Sequence, residues 1–375
     1  MRQKIVYIVS DIDKALAFEW IALALEQDKY ALSFILLNPG PSALEDFLQA
    51  HQIPVHRIHC AAKKNWPWAW IQLLRLLKAT KPDIVHCHLF AASIMGLLAA
   101  RVLSIPTRIY TRHHSDFHFR YFPKGVQWDK WCNQWATKII APSSAVVKVL
   151  TQMEHVPQAK VVLLPHGFDL AYFAQPDEQQ KARLTQKYNP QQRHPVIGVI
   201  ARFTELKGIQ YIVPAFQQLL LVYPNALLLL FNARGDYEQT LKAQLKQLPE
   251  GSYACIPFEQ ELSAVYALFD VFVQASTDET IEAFGQTYVE ALAAGVPSVF
   301  TLAGVAADFI IDRENALVVP FENVPSIYAA MKAILEDESL RVKMITNGKA
   351  DVQKLFAFST MIHALEEVYQ INTSR

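Results

Sequence analysis

Residues 282–295 read EAFGQTYVEALAAG, and this stretch decides how the rest of the chain is interpreted. The spacing predicts a short loop followed by a helix that begins at Gln286, because Gly295 is placed where helices commonly end. The apolar run that comes next predicts a short buried strand. The stretch is therefore loop, helix and strand, with Glu282 before the helix and Glu290 about one turn into it.

The first turn of this helix suits an anionic ligand. Helix N-termini carry unpaired N–H groups and partial positive charge, and Gly285 has no Cβ to hold the backbone away from a phosphate. The carboxylates of Glu282 and Glu290 accept hydrogen bonds, which suits sugar hydroxyls. Together these groups indicate a nucleotide-sugar site. The alternative is an ordinary amphipathic helix with two solvated glutamates.

Three further stretches support the first interpretation. They are His166-Gly-Phe-Asp169, Ala201-Arg-Phe-Thr-Glu-Leu-Lys-Gly208 and Asp270-Val-Phe-Val-Gln-Ala-Ser276. With Glu282-x-Phe-Gly and Glu290, their order resembles that of retaining glycosyltransferases of family 4, whose signature is E-x7-E and whose fold is GT-B. The resemblance implies an α/β protein with two Rossmann-like parallel-sheet domains facing across a cleft, and a C-terminal helix that crosses back.

The resemblance also implies roles for individual residues. Two cations follow the strand 195–200, and the fork of Arg202 and the point charge of Lys207 would neutralise a departing diphosphate. The expected catalytic residues are His113, Arg202, Lys207 and Glu282. The expected donor-binding residues are Phe284, Gly285, Gln286, Thr287 and Glu290. On the acceptor side we expect Asp13, Lys14, His88 and His114.

Length and composition are those of a two-domain globular protein. The chain has 375 residues, of which 52% are hydrophobic and 19% charged, and this length exceeds one typical core. We predict an acceptor-side N-terminal domain at residues 1–170, a donor domain at 171–359 and the returning helix at 360–375. The polar stretch 175–194 contains no strong strand pattern and is expected to connect the domains.

Charge is divided unevenly between the two parts. The first 169 residues carry 19 lysines and arginines against 12 acids, and they hold ten of the twelve histidines. The remainder carries 16 basic side chains against 23 acids. This asymmetry predicts different partners for the two domains, with the basic one facing an anionic ligand or surface. Nucleic acid is disfavoured because there is no basic cluster or recognised binding motif.

Short apolar runs alternate with helical patterns along the chain. Strands are predicted at 4–10, 30–37, 55–59, 83–88, 108–110, 139–141, 161–164, 195–200, 226–231, 255–258 and 271–274, and helices at 15–27, 68–79, 262–269, 325–336 and 360–371. This order is typical of parallel α/β sheets. Two turns depart from the family by lacking glycine. One is the turn 10–14. Either Asp11, Asp13 or Lys14 contacts an acceptor there through its side chain, or the segment is a plain capping turn. The other is at Asn232, where or near which members of the resembled family usually have glycine, and the strand 255–258 also lacks an expected glycine.

Histidines mark two strand ends of the first domain. His86 and His88 share one side of a strand near its carboxyl end, where ligands gather in open α/β sheets. No carboxylate or cysteine stands at metal-ligand spacing, so His88 is expected in packing or acceptor contact rather than on a metal. In the resembled family a histidine after the next strand reaches the sugar or the departing phosphate. The Thr-x-His setting places His113 there, with His114 next. A hydrogen-bonded surface loop is the alternative.

Aromatic and basic residues concentrate between residues 117 and 135, and Trp66, Trp68 and Trp70 form a second patch. Membrane, glycan or lipid contact and ordinary packing are the alternatives. No apolar run reaches the ~20 residues that span a bilayer, and no signal peptide is evident. Four isolated cysteines predict a reducing compartment. We therefore expect a cytoplasmic protein that associates with the inner face of the membrane.

By resemblance, the reaction is retaining, with front-face attack and a departing phosphate that helps to deprotonate the acceptor. No Asp-x-Asp stands in the donor domain, so no obligatory metal and no cofactor are expected. The partners would be a nucleotide-sugar donor and a glycan or lipid-linked acceptor, in cell-surface polysaccharide or lipopolysaccharide synthesis. The alternatives are a nucleotide-sugar epimerase or hydrolase of the same fold, and a non-catalytic sugar-nucleotide binding protein.

Overall fold

Parallel strands alternate with helices throughout the computed structural model, which describes residues 2–370. The contacts divide the chain into two units. Unit 1 runs to Gly167 and resumes at Ser359, and unit 2 runs from Phe168 to Phe358. Of the predicted C-terminal segment 360–375, residues 371–375 lie outside the described residues.

Unit 1 is built on a seven-stranded parallel sheet. The strands are β1 (Gln3–Ser10), β2 (Tyr30–Asn38), β3 (Val55–His59), β4 (Ile84–His88), β5 (Thr107–Thr111), β6 (Lys138–Ala141) and β7 (Val161–Leu163). Their order is β3-β2-β1-β4-β5-β6-β7. The register pairs Ile5 with Leu32 on one side and with Ile84 on the other. The central strands read as continuous apolar runs because helices cover both faces of a parallel sheet.

The helices of unit 1 connect these strands. They are α1 (Leu16–Ala24), α2 (Ala43–Ala50), α3 (Trp66–Thr80), α4 (Phe90–Val102), α5 (Phe117–Tyr121), α6 (Pro123–Trp135) and α7 (Ser144–Lys148), with a π-helical turn at Val149–Met153. Helices α3 and α6 each begin with a proline in the first turn, where the missing N–H costs nothing. The Ser42 hydroxyl caps α2 by accepting the Glu45 N–H.

Unit 2 repeats the pattern with six parallel strands. They are β8 (Val196–Ile200), β9 (Leu227–Phe231), β10 (Tyr253–Ile256), β11 (Val271–Gln274), β12 (Ser298–Phe300) and β13 (Leu317–Val318), in the order β10-β9-β8-β11-β12-β13. The helices are α8 (Leu170–Ala174), α9 (Glu178–Tyr188), α10 (Ile209–Leu220), α11 (Glu238–Leu245), α12 (Leu262–Tyr266), α13 (Gln286–Ala293), α14 (Ala306–Phe309), α15 (Val324–Glu336) and α16 (Glu338–Phe356). Two apolar clusters form the core of this unit, and together they bury all five residues of β9.

The stretch 175–194 differs from the expectation of a connecting segment. It contains α9, which Asp177 caps by accepting two backbone N–H groups, and Leu184 on this helix is fully buried in the core of unit 2. A single buried residue on a polar helix gives almost no periodic signal, which is why the sequence pattern missed the helix. The chain passes between units earlier, between Gly167 and Phe168.

The last helix, α17 (Phe358–Gln370), returns to unit 1 from Ser359 onward. Tyr369 is fully buried, and its hydroxyl lies 2.6 Å from the hydroxyl of Tyr7 on β1 and 2.9 Å from His86 Nδ1 on β4. The helix thus supplies polar partners inside the core of unit 1. Within residues 2–370, no helix combines the length and the apolar character needed to cross a bilayer.

Candidate functional site

In unit 2 the loop after β8 is fixed against the end of β11 by one glycine. Gly208 has a φ of +66° and precedes α10, and a Cβ there would overlap the carbonyl oxygen of Ala275. Only glycine fits both the backbone conformation and this close approach. The Thr277 N–H also donates to the Leu206 carbonyl, at 3.1 Å. The contacts hold the turn Glu205–Lys207 beside the carboxyl end of the sheet.

Lys207 and Glu282 meet at this edge. The Lys207 ammonium forms an ion pair with Glu282 Oε1, and the Ser276 hydroxyl donates to the same oxygen at 2.8 Å. Glu282 is buried, whereas the Lys207 side chain is 23% exposed. The structure therefore brings together two of the predicted catalytic residues, and sequence reasoning missed the hydroxyl between them. Ser276 is the last residue of the motif 270–276, but nothing in its spacing predicted a contact with Glu282.

The N-terminus of α13 carries most of the predicted donor-binding residues. Gly285 caps the helix with a φ of +89°, Gln286 is exposed, and the Thr287 hydroxyl donates to Gln274 Oε1. Phe284 differs, because it is buried and its ring stacks on Phe168 at 5.9 Å. Phe284 thus anchors the loop. In the first turn of α13 the Tyr288 N–H donates to the Gly285 carbonyl at 3.2 Å, and the N–H groups of Gln286 and Thr287 precede it at the helix start.

Glu290 lies inside unit 2, where Glu290 Oε2 accepts a hydrogen bond of 2.8 Å from the Tyr266 hydroxyl. Only 7% of Glu290 is exposed. Burial raises the pKa of Glu290 to about 7, and the hydrogen bond from Tyr266 opposes that rise. The carboxyl group therefore changes charge near neutral pH.

Arg202 follows β8 and is exposed. Its guanidinium forms no ion pair with any residue between 2 and 370. An arginine without a carboxylate partner keeps its planar donor fork available to a phosphate. Arg202 lies just past the end of β8, but no hydrogen bond or ion pair joins it to Lys207 or Glu282 among the described residues.

In unit 1, His88 and His113 lie next to each other. His88 Nδ1 is 3.2 Å from His113 Nε2, so one of the two nitrogens donates to the other. The ring of His113 also stacks with that of His166 at 6.0 Å. Burial lowers the pKa of His113 to about 3 and that of His166 to about 4, and it holds the pKa of His88 well below its usual range. These imidazoles are neutral at physiological pH.

His114 faces a different group. Its Nε2 lies 3.2 Å from Asp129 Oδ2, and the Arg112 guanidinium donates to the same oxygen at 3.1 Å. Arg112 also forms an ion pair with Glu154, and its Nε donates to the His114 carbonyl at 3.1 Å. Arg112 and His114 both contact Asp129, whereas His113 between them contacts His88, so the alternate residues face different groups.

Sequence reasoning missed this ionic cluster. Arg112 is 1% exposed, and Asp129 and Glu154 are also buried. The signal was weak: Asp129 is the only acid in α6, and Glu154 follows the π-helical turn with no motif around it. Burial of an arginine cannot be read from its immediate neighbours, because the two acids are 17 and 42 residues away.

The remaining acceptor-side candidates lie on the loop after β1. Asp13 Oδ1 accepts the Ala43 N–H at 3.1 Å, which is the capping alternative. Lys14 is exposed. Asp11 has a φ of +52°, so the turn keeps a left-handed residue without glycine. Asn232, with a φ of +59°, does the same after β9. Aspartate and asparagine tolerate this region better than other side chains do.

A cavity of about 220 Å³ lies at the carboxyl ends of β4 and β5. It is lined by Leu89, Phe90, Ser93, Tyr110, Thr111, Arg112, His113, His114, Asp129 and Cys132. Leu89 has a φ of +69°, a strained conformation for a leucine, and it directly follows His88. Apolar and hydrogen-bonding groups both face this space, as in sites for small polar ligands.

Two sheets of parallel strands, with polar groups at their carboxyl ends and a glycine-capped helix N-terminus, define the class of α/β enzymes that act on nucleotides. The family comparisons specify the class further. A family model described as "Glycosyl transferases group 1" matches residues 180–351, and the model "Glycosyltransferase Family 4" matches residues 21–172. The chain belongs to the family 4 glycosyltransferases, and it is an enzyme of that family.

Individual relatives agree with this assignment. The capsular polysaccharide biosynthesis glycosyltransferase CapM of Staphylococcus aureus is 25% identical over 307 residues, 80% of this chain and 79% of CapM. The alpha-monoglucosyldiacylglycerol synthase of Acholeplasma laidlawii is 27% identical over 272 residues, 65% of each chain. The crystal structure of Anabaena HepE in complex with UDP-glucose matches with a TM-score of 0.83 at 18% identity, covering 99% of this chain and 100% of HepE. That similarity confirms the predicted GT-B fold.

Proposed function

We propose that the enzyme moves a sugar from a nucleoside-diphosphate sugar to a hydroxyl of a glycan or lipid-linked acceptor, with retention at the anomeric carbon. The observation that carries this proposal is the contact of Lys207 and Ser276 with one oxygen of Glu282. Three chain segments converge there, beside the glycine-capped α13. A cation, a carboxylate and first-turn amides are the groups that a sugar diphosphate requires.

The chemistry needs charge stabilisation more than it needs an acid or a base. The bond from the anomeric carbon to the β-phosphate oxygen breaks, and its electron pair stays on the diphosphate. The acceptor hydroxyl oxygen bonds to the same face of that carbon, and its proton passes to the departing phosphate oxygen. Arg202 and Lys207 would hold the developing negative charge, a contribution commonly of ~3–4 kcal/mol for each preorganised donor removed.

The carboxylates then bind hydroxyl groups of the donor. We assign Glu282 to the transferred sugar, because Lys207 keeps its carboxylate beside the leaving group. Glu290 is assigned to the ribose, and Gly285, Gln286 and Thr287 to the diphosphate. His113 acts as a neutral imidazole, because its pKa is about 3, and so it donates or accepts one hydrogen bond rather than supplying charge. His88 fixes the orientation of its ring through their 3.2 Å contact.

The donor's diphosphate is bound without a divalent metal. Its charge is met by Arg202, Lys207 and the amides of α13, and the donor unit carries no Asp-x-Asp. The rate should therefore change by less than about twofold when Mg²⁺ or Mn²⁺ is added to a metal-free assay mixture. A rate that rises about tenfold or more with either ion would contradict this part of the proposal, since it corresponds to a metal acting on the leaving group.

The acceptor side is proposed from the relatives and from one surface. CapM takes part in capsular polysaccharide synthesis, and the Acholeplasma enzyme makes a glycolipid, as their names state. In unit 1, Trp68 is 59% and Trp131 is 41% exposed, and Lys63 lies 5.1 Å from the ring of Trp128. We infer that these aromatic and basic groups rest on an anionic bilayer surface. Co-sedimentation with vesicles of anionic lipid should fall when Trp68 and Trp131 are both replaced by serine, and unchanged binding would refute the contact.

The experiment that tests the function is a thermal-shift panel of UDP-, GDP-, ADP- and dTDP-sugars on the wild type and on Glu290→Ala. A donor at 100 times its Kd adds ~2.7 kcal/mol of stability. We expect one nucleotide to stabilise the wild type and not the variant. Absence of a shift with every donor would overturn the proposal. Product analysis with the stabilising donor then separates transfer from the alternatives: an epimerase or hydrolase turns the donor over without an acceptor, and a binding protein leaves it intact.

A further inference from the structure

Three potential metal ligands converge in unit 1, and none of them is among the predicted donor-binding residues. His118 Nδ1 lies 2.6 Å and His114 Nε2 lies 3.2 Å from Asp129 Oδ2, and the three atoms are all within 4.8 Å of one another. Ligand atoms of a tetrahedral zinc ion, bound at 2.0–2.1 Å, are about 3.4 Å apart. The 3.2 Å separation is close to this value, and the 2.6 Å separation is shorter, so an ion would bind after His118 and Asp129 move apart by about 0.8 Å.

The hydrogen bonding at Asp129 is crowded. Arg112 Nη2 also lies 3.1 Å from Oδ2, so three nitrogen atoms approach a single oxygen. A carboxylate oxygen has two lone pairs, and one of the two imidazoles must compete with Arg112 or with the other imidazole. A divalent cation held by both imidazole nitrogens and by Oδ2 removes the competition, because Arg112 is then the only N–H donor to that oxygen.

The charges of the cluster allow a cation in spite of the neighbouring arginine. Both guanidinium Nη atoms of Arg112 contact Glu154, whose Oε2 also accepts from the Asn133 amide at 2.6 Å. The charges of Arg112 and Glu154 cancel, which leaves the negative charge of Asp129 for the ion. The two imidazoles are neutral ligands, so the site resembles the mixed nitrogen and oxygen sites that zinc occupies.

The ring of His118 is held in place by its surroundings. Phe90 and Phe122 lie edge-on to it at 5.5 Å and 5.7 Å. Gly125 on α6 makes room for it, because a Cβ there would be 2.7 Å from the imidazole carbon Cγ. His114 and Asp129 also line the cavity of about 220 Å³, which is large enough for a water or a small ligand to complete the coordination.

We propose that His114, His118 and Asp129 bind one Zn²⁺ ion, with the fourth coordination position open to this cavity. The ion links the loop 112–118 to α6 and so stabilises the segment that presents His113. The proposal does not depend on the donor or the acceptor, because metal content is measured without either. A protein that binds zinc but no nucleotide sugar would support the zinc site and refute the proposed function. A protein that binds a nucleotide sugar but no zinc would do the opposite.

The test is the metal content of the full chain purified from zinc-supplemented cells, measured by elemental mass spectrometry. We expect about one zinc ion per chain in the wild type and less than about 0.2 in His118→Gln. The matched control is His113→Gln, a neighbouring histidine outside the ligand set, which should retain the ion. Full zinc content in His118→Gln, or loss of zinc in His113→Gln alone, would overturn the assignment.

A second measurement uses the wild type and avoids variants that fail to fold. Zinc is removed with a chelator and Co²⁺ is added, and tetrahedral coordination gives visible d–d absorption that saturates at one ion per chain. Removal of the metal should lower the Tm by about 5 °C, and Zn²⁺ should restore it. A wild type with less than about 0.2 zinc ions per chain, no cobalt spectrum and an unchanged Tm would refute the site.

Discussion

Arg112 and Arg202 each follow a strand of a parallel sheet, yet their surroundings are opposite. Arg112 in unit 1 is 1% exposed, and Asp129 and Glu154 both pair with its guanidinium. Arg202 in unit 2 is exposed and forms no ion pair within residues 2–370. The same side chain therefore holds a loop in place in unit 1 and presents free donors in unit 2. Burial and pairing, rather than residue type or position after a strand, separate the two roles.

The candidate sites as a whole differ in the same way. Around His113 the imidazoles are neutral and hydrogen-bonded in part, and His88 Nε2 is buried without a hydrogen-bond partner among the described residues. Around Lys207 one cation meets one carboxylate, and a second cation is unpaired. Unit 1 thus offers neutral hydrogen-bonding groups to a ligand, whereas unit 2 offers charged groups. A neutral hydroxyl acceptor suits the first arrangement, and an anionic diphosphate suits the second.

The largest expected effect comes from breaking the buried cluster of unit 1. Replacing Arg112 with leucine leaves two buried carboxylates without a cation, which should cost about 3–5 kcal/mol of unfolding free energy. Urea denaturation measures this loss. The control is Arg183→Leu, which removes a surface ion pair with Glu261 and should cost less than about 1 kcal/mol. Equal losses in the two variants would show that the Arg112 cluster behaves as a surface pair.

Removing the unpaired arginine of unit 2 should affect activity and not stability. We expect Arg202→Ala to lower kcat/KM by about 100-fold, because a donor to the leaving diphosphate is lost. Its Tm should stay within about 1 °C of the wild type, because no ion pair is broken. Steady-state kinetics and a thermal melt check both parts, with the exposed Lys246→Ala as control. A fall in Tm with unchanged kcat/KM would show that Arg202 stabilises the fold and does not act on the leaving diphosphate.

Glu290 gives unit 2 a pH dependence opposite in sign to that of the buried imidazoles of unit 1, whose depressed pKa values make the folded state less stable as pH falls through about 6.5. Its pKa is raised to about 7, so the folded protein binds this proton more tightly than the unfolded chain does. The stability from Glu290 is present at low pH and lost as pH rises through 7. Relative to Glu290→Gln, the wild type should lose up to about 3 kcal/mol between pH 5 and 8.

The measurement for Glu290 is a pair of melts across this pH range, with the exposed Glu250→Gln as control. Donor affinity should move in the opposite direction and increase as the carboxylate ionises, because the ionised form is the better acceptor of hydroxyl hydrogen bonds. Parallel stability curves for wild type and Glu290→Gln would mean that the carboxyl group titrates in its ordinary range.

The smallest effect concerns Asn232, which has a φ of +59°. We expect Asn232→Gly to change the unfolding free energy by less than about 0.5 kcal/mol, because both residues tolerate this backbone region. Asn232→Val should cost about 1–2 kcal/mol, because a β-branched residue does not. Urea denaturation of the two variants gives the comparison. A valine variant as stable as the wild type would show that the loop changes its backbone.

The sequence predicted the sheets and the donor motif because those features are local. Apolar runs defined strands such as β11 at the residues where the structure has them, and Gly285 marked the start of α13. The contacts that depend on distant residues could not be predicted. Tyr266 lies 24 residues from Glu290, and Asp129 lies 17 residues from Arg112, so no local pattern marks these pairs. Ser276 is only six residues from Glu282, but no motif marks that pair either.

The missing glycines show a different limit. The sequence lacks an expected glycine at Asp11 and at Asn232, and this suggested a departure from the family. In the structure the backbone at both positions is left-handed. The sequence carried the relevant information in the residue type, since aspartate and asparagine are the side chains that best replace glycine there. Interpreting the substituted residue, rather than noting the absent glycine, would have predicted the conformation.

The return of α17 to unit 1 determines the order in which the protein can be completed during synthesis. Every strand of unit 1 is synthesised before unit 2 begins, yet Tyr7 and His86 have no Tyr369 hydroxyl to bond until unit 2 has also been synthesised. Unit 2 is continuous from Phe168 to Phe358 and has all of its residues earlier. The half of the enzyme that is made first is therefore the half that matures last, and a nascent chain that ends early releases a complete unit 2 attached to an unfinished unit 1.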